Sequence, residues 1–315
     1  MMPRPIRHTA AMILLALLLV GAGASTASAK PLVGIADQKA DMFTDPRFLD
    51  LGIRTARVYV PYDVTTNPRQ LVNLDRWMGA AKAAGVAPLV TMERSSDRRK
   101  RGRAPSVTTY RRQVRKLRRR YPFARAYSVW NEANHGGQPL SRRPDLAARY
   151  YRVLVQECKG CTILAADLLD QPNMTSWATR FVKALGRQPK YWGLHNYLDA
   201  NRLSTKGTRK LLRAVEGQVW LTETGGVVAR RNGSKVKFKG TGVGHARAVT
   251  KFVLTKLAKV SPRISRIYLY HWNSQTKMDS WDSAFIAFDG SERPSLDVLR
   301  SYLGRPLGPP KGPAA

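Results

Sequence analysis

Eight short apolar runs recur along the chain, each followed by a segment with helical spacing, and that alternation narrows the fold more than any other feature. The runs are residues 32–36, 54–60, 86–92, 126–130, 162–166, 191–194, 218–222 and 266–270. They begin on average about 33 residues apart, the size of one strand–helix unit. Their apolar residues do not alternate with polar ones, so both faces are buried, as in a parallel sheet covered by helices. Between the runs, residues 67–84 open with Asn67-Pro68 and carry Leu71, Leu74, Trp77, Met78 and Ala81 at helical spacing. Helices are likewise expected over 45–52, 106–120, 145–157, 176–185, 206–215, 245–259 and 294–302. An open, doubly wound sheet is the rival architecture. It would call for a glycine-rich phosphate loop after the first strand, and Asp37-Gln38 stands there instead. The expectation is an α/β chain forming a single (β/α)8 TIM barrel over residues 30–303.

The ends are set apart from that domain. Arg4, Arg7 and His8 precede an apolar stretch over 10–22, and Ala27-Ser28-Ala29 offers a small-residue cleavage site. This predicts a signal peptide over 1–29 and a secreted protein, with no stable membrane span after cleavage; an uncleaved anchor is the alternative. Residues 304–315 contain four prolines and are expected to be disordered. The two cysteines, Cys158 and Cys161, are three positions apart with no second pair and no nearby histidine to complete a zinc site. Outside the cell a local disulfide is the expectation, with two free thiols the alternative.

Charge is the compositional anomaly. Lys and Arg number 54 against 21 Asp and Glu, a net charge of +33. Such a field attracts polyanions, among them nucleic acid, anionic headgroups and acidic wall polymers. The arginines are spread along the whole chain, as a compositional bias or surface solubility would also produce. Residues 94–103 form one basic loop, with Arg98, Arg99, Lys100 and Arg101 in a row, and Lys235, Lys237 and Lys239 form a second. No nucleic-acid motif accompanies the charge, so no specific nucleic-acid partner is expected.

In a parallel barrel, function sits at the C-terminal ends of the strands. Of six glutamates, Glu93, Glu132 and Glu223 fall at such ends; His195 and His271 do too, and His135 lies just beyond the fourth run. Tyr62, Tyr197 and Trp272 add flat rings to the same rim. Taken singly, each has an ordinary structural explanation, and Trp192 and Trp220 within runs belong to the core. Jointly they describe a cleft of carboxylates, imidazoles and rings, suited to stacking on sugar faces and binding hydroxyls. Two glutamates at strand ends can supply an acid for a departing oxygen and a carboxylate for the anomeric carbon.

These residues resemble the clan A glycoside hydrolases, retaining (β/α)8 enzymes that include families 5 and 39, and the resemblance covers the whole strand series. It implies Glu132 of the Asn131-Glu132 pair as acid/base, Asn131 on the sugar 2-hydroxyl, and Glu223 as nucleophile. It further implies His195 and Tyr197 as the His-x-Tyr after the sixth strand, with the tyrosine hydroxyl on the nucleophile. Trp272 would be the aromatic floor, and Arg57 the second-strand arginine that keeps the nucleophile ionised. Two positions depart: Ala133 stands where proline is usual, and Glu93 where family 5 commonly has histidine. Glu93 and His135 are then expected to bind substrate. A retaining mechanism places the two carboxyls about 5–5.5 Å apart, with Glu132 kept protonated by apolar surroundings and by the charge of Glu223. No metal or organic cofactor is needed. The implied partner is an oligo- or polysaccharide, of an anionic or wall-associated kind if the basic loops take part, and a monomer is expected. The alternatives are a non-catalytic carbohydrate-binding protein on the same scaffold and a retaining transglycosylase.

Overall fold

The computed structural model of the chain describes residue 1 and residues 30–231 and 237–307. The expected signal peptide, Lys235 and the last eight residues of the expected tail lie outside the described residues. Eight strands close into a parallel barrel: β1 (Leu32–Ala36), β2 (Thr55–Pro61), β3 (Ala87–Glu93), β4 (Ala126–Ser128), β5 (Thr162–Leu169), β6 (Tyr191–His195), β7 (Gln218–Thr224) and, after the two-residue β8 (Ala229–Arg230), β9 (Ile264–Tyr270). Closure is made by β9, which pairs in parallel with both β1 and β7. A last short strand, β10 (Trp281–Asp282), pairs antiparallel with β8 and so joins the loops that follow β7 and β9.

Nine helices surround or flank the barrel among the described residues. They are α1 (Pro46–Asp50), α2 (Pro68–Ala83), α3 (Val107–Arg120), α4 (Pro144–Glu157), α5 (Met174–Leu185), α6 (Tyr197–Asn201), α7 (Lys206–Ala214), α8 (Val243–Thr255) and α9 (Pro294–Leu303). Local chemistry starts and stops them. Asn67 accepts a hydrogen bond from the Gln70 amide and Pro68 opens α2; Ser106 does the same for Thr109 in α3. Gly186, at φ 79°, ends α5 in a left-handed conformation that other residues adopt only with strain.

The core has two parts. Residues of the helices pack against the outer faces of the strands in one large cluster. A smaller cluster comes from the strands alone, with Ala36, Leu89, Leu164, Trp220 and Tyr268 contributed by β1, β3, β5, β7 and β9. Alternate strands filling a lumen in layers are the usual packing of an eight-stranded barrel. Above that apolar layer the lumen turns polar, and there the functional candidates collect.

Two strands differ from their expected bounds. Regular β4 ends at Ser128, although the ladder continues irregularly: Val129 N–H donates to Leu164 (3.3 Å) and Asn131 N–H to Met92 (2.7 Å). β5 runs on to Leu169, past Asp167, with a register shift between Leu164 and Asp167. A carboxylate inside a strand is tolerated here because an arginine of β2 is buried opposite it. Cys158 and Cys161 are joined in a disulfide at the α4–β5 turn, on the face of the barrel opposite the strand ends. Beyond α9, Gly304 caps the helix at φ 67°, and the Arg305 guanidinium donates to the Leu51 carbonyl.

Candidate active site

Arg57 sits on β2 with its side chain fully buried. A buried guanidinium is stable only where its donors are met and its charge is paired. Its Nη2 donates to Asp167 Oδ2 at 2.7 Å and to Asn131 Oδ1 at 2.6 Å, and its Nη1 donates to Glu223 Oε2 at 2.8 Å. Four strands, or their immediate extensions, are thus tied to one planar group. Asp167 is held further by the hydroxyls of Thr91 (3.0 Å) and Ser128 (2.8 Å). Burial alone would raise the Asp167 pKa, but Arg57 and His195 outweigh it and hold the carboxyl well below its ordinary range. The same two carboxylates hold Arg57 firmly charged against the burial that would lower its pKa. Space for this arrangement depends on Gly193 of β6, where an added Cβ would stand 2.0 Å from Asp167 Oδ1.

Glu223, on β7, receives a second hydrogen bond from the Tyr197 hydroxyl at 3.0 Å, at the start of α6. Burial and the adjacent Glu223 push the Tyr197 pKa well above its ordinary value, so the phenol keeps its proton and donates. Glu132 follows the irregular end of β4 at φ 46°, a left-handed conformation uncommon for a residue with a side chain. Such positions concentrate at functional sites, where the surrounding structure enforces them. Its side chain is 26% exposed, into a cleft.

His195, fully buried, places Nδ1 3.3 Å from Glu132 Oε1 and Nε2 3.6 Å from Asp167 Oδ2; the second contact is electrostatic, being too long for a hydrogen bond. Burial would lower the imidazole pKa, but the charges of Glu223, Asp167 and Glu132 push it up to about 9. Glu132 shifts the other way: burial raises its pKa, His195 overrides that, and the net shift is downward. The direction runs against the expectation that burial keeps Glu132 protonated: His195, 3.3 Å away, favours its carboxylate form.

The cleft has a volume of about 450 Å³ and is lined by Asn131, Glu132, Tyr197 and Glu223 together with Tyr59, Glu93, His135, Leu169, Asp170, Gln171, Leu198, Arg230, Phe238, Tyr270 and Trp281. Glu93 accepts from Gln138 Nε2 at 3.1 Å, and burial raises its pKa above the usual value despite that bond and the nearby Arg94. His135 reaches the cleft from an exposed turn, its Nδ1 accepting from the Gly137 amide at 3.3 Å.

Trp272 is not the cleft floor. It is fully buried behind the rim, its ring edge-on to Phe48 and its Nε1 donating to Asp45 at 3.0 Å. Among the rings that do line the cleft, with Tyr59, Tyr197 and Phe238, are Tyr270, the last residue of β9, and Trp281 on β10, which stands edge-on to Tyr197 at 4.7 Å. Two other rim candidates are also placed elsewhere. Tyr62 is buried, stacked with Trp130 at 6.2 Å, and His271 is buried with its Nδ1 3.4 Å from Lys39 Nζ. The basic segment 94–103 stands on the catalytic rim without lining the cleft; Asp97 partly neutralises it, 3.6 Å from Arg99 and 3.7 Å from Lys100. Lys237 and Lys239 touch α6 through their backbones, Lys237 accepting from Arg202 Nε and Lys239 donating to the Asn201 carbonyl.

Sequence reasoning missed Asp167, Tyr270 and Trp281. Asp167 could have been found by asking what neutralises a buried Arg57. Trp281 lies in an irregular loop with no periodicity to mark it. As assembled, the site offers a clamped carboxylate, a second carboxylate beside a proton donor, and an amide and rings around them.

No family model matches the chain, and no curated protein matches its sequence. Its fold is shared with solved structures. An endo-1,4-beta-xylanase from Caldicellulosiruptor owensensis is 9% identical at a TM-score of 0.63, over 86% of this chain and 96% of that one. Xylanase 10B from Thermotoga maritima is 10% identical at a TM-score of 0.60, over 86% and 94%. An endo-beta-1,4-glucanase from Xanthomonas axonopodis pv. citri is 16% identical at a TM-score of 0.56, over 87% and 99%. At these identities the likeness is one of fold: the chain is a (β/α)8 barrel of the kind these glycosidases use.

Proposed function

We propose that the protein is a secreted, retaining glycoside hydrolase that cleaves β-linked O-glycosides. One observation carries the reading: Glu132 and Glu223, from the ends of strands three units apart in the barrel, line the same cleft in different electrostatic settings. Glu223, oriented by Arg57 and Tyr197, attacks the anomeric carbon. The glycosidic C–O bond breaks as the leaving oxygen takes the proton that His195 has passed to Glu132 across their contact, which leaves Glu132 a carboxylate and His195 neutral. Water then gives a proton to Glu132 and its oxygen to the anomeric carbon, releasing Glu223. Asn131 has its carbonyl oxygen occupied by Arg57, which leaves the amide N–H groups to donate to the sugar 2-hydroxyl. The xylanase and glucanase neighbours support a carbohydrate substrate. The signal-like N-terminal segment supports export, and the net charge of +33 supports an acidic or wall-associated glycan. The working unit is taken as a monomer.

Hydrolysis of an aryl β-glycoside panel, with the first-formed anomer read by NMR, tests the reading. Retention is expected, with Glu223→Gln inactive on every substrate. Glu132→Ala should keep turnover only where the leaving group is good. Inversion, or equal loss in both variants on all leaving groups, contradicts the assigned roles.

A further inference from the structure

A second cavity, of about 730 Å³, opens beside the catalytic cleft and shares Asp170, Gln171 and Leu198 with it. The two therefore adjoin one another across the loop after β5 and the start of α6. Arg202, Lys206 and Lys210 line the outer cavity and are all exposed. Lys206 and Lys210 lie four residues apart on α7, so like charges share one helix face, an arrangement that is unfavourable unless something compensates it. Nothing among the described residues does so through a salt bridge. The carboxylates in the cavity wall are already engaged by backbone amides. Asp170 accepts from Leu198 and Asp199 (3.2 and 2.7 Å), and Asp199 accepts from Gly207 and Thr208 (3.0 and 2.6 Å). Among the described residues Arg202 donates through its Nε alone, to the Lys237 carbonyl.

We infer that this second cavity is an extended subsite for an acidic glycan, in which Arg202, Lys206 and Lys210 hold anionic groups of the chain beyond the unit in the catalytic cleft. The inference rests on the glycosidase reading and narrows its substrate to a polymer bearing carboxylate, sulfate or phosphate groups. It also moves the anion contact from the basic loop 94–103, which lines neither cavity, to α7 and the end of α6. Three cations converging on one concavity attract an anion more strongly than the same cations spread over a flat surface.

The test compares the full-length secreted protein with Lys206→Glu/Lys210→Glu and with Arg112→Glu/Arg119→Glu, a matched charge reversal on the exposed flank of α3. Binding is titrated at fixed salt with carboxymethylated and with sulfated β-glucan and xylan, and with the unmodified polymers. Wild type should bind at least one acidic form about tenfold more tightly than its neutral parent, and the carboxymethylated and sulfated arms identify the anionic group. The α7 reversal should remove that preference while leaving the binding of the unmodified polymers within about twofold, and the α3 reversal should leave the preference itself within about twofold. Equal weakening by the two reversals, or no weakening by the α7 reversal, overturns the inference by showing that only the diffuse field of the protein is felt. Failure of wild type to hydrolyse any aryl glycoside overturns the catalytic reading instead, and the binding titrations separate that failure from the first.

Discussion

Replacing Gly193 by alanine adds one methyl group to the barrel lumen and should disturb both stability and catalysis. The new Cβ would lie 2.0 Å from Asp167 Oδ1, 2.9 Å from Thr222 Oγ1 and 3.0 Å from the Ala166 carbonyl. The first contact forces the carboxylate back by about 1 Å or more in a close-packed interior. Its other oxygen is 2.7 Å from Arg57 Nη2, so a retreat of that size takes the ion pair outside hydrogen-bond range. Overpacking alone costs about 1–3 kcal/mol. Breaking a buried ion pair from one side costs about 3–5 kcal/mol. Because the carboxylate is displaced rather than deleted, a combined loss of about 3–5 kcal/mol is expected, which for a chain of this size lowers Tm by roughly 10 °C. Arg57 also holds Glu223, so its shift should reduce kcat/KM on aryl glycosides by about tenfold to a hundredfold. A double-mutant cycle with Asp167→Ala isolates the cause. In that background the methyl group no longer meets a carboxylate, and its added cost should fall to about 1 kcal/mol, a coupling of at least about 2 kcal/mol. The reasoning fails if Gly193→Ala costs less than about 0.5 kcal/mol by chemical denaturation, or the same amount in both backgrounds.

Trp281→Ala should lower kcat/KM by about 10–100-fold, since the ring is worth about 1.5–3 kcal/mol of apolar contact to a bound sugar and braces Tyr197 as well; Trp281→Phe should recover part of the loss, and unchanged kinetics in the alanine variant would remove the ring from the site. Asp170 has its pKa pushed up to about 7 by burial, against the hydrogen bonds it accepts from the backbone. Its protonated form is therefore favoured in the folded state. The associated stability is fully present below pH 3.8 and is lost as pH rises through about 7. Asp170→Asn removes that titration, so the Tm of the variant relative to wild type should improve steadily from pH 4 to pH 8; a difference independent of pH would contradict the sign.

The barrel was legible because each strand is a local apolar run and each helix a local period, so pattern alone located all eight barrel strands within a few residues. The grouping of polar residues at the ends of β4, β6 and β7 was equally legible, because Glu132, His195 and Glu223 fall at the ends of apolar runs. What escaped depends on partners distant in sequence. Asp167 interrupts the apolar run of β5, and only the proximity of Arg57, 110 positions away, explains why the strand continues through it. The exchange of Trp272 for Tyr270 and Trp281 has a similar origin. Strand periodicity stops at Tyr270, and beyond it the direction of a ring is decided by packing on Phe48 and by Asp45, neither of which a local pattern reveals. The contact between Glu132 and His195 was not legible either, because sequence counts carboxylates but does not show the buried imidazole beside one of them.

Arg57 fastens Glu223, the Asn131 amide and the buried aspartate to the wall of the barrel instead of to its loops. These groups therefore keep their spacing whatever the connecting segments become. For the glycosidase proposed above, substrate preference would then be free to drift by exchange of the rim, and any lineage built on this scaffold should vary in what it cuts far sooner than in how.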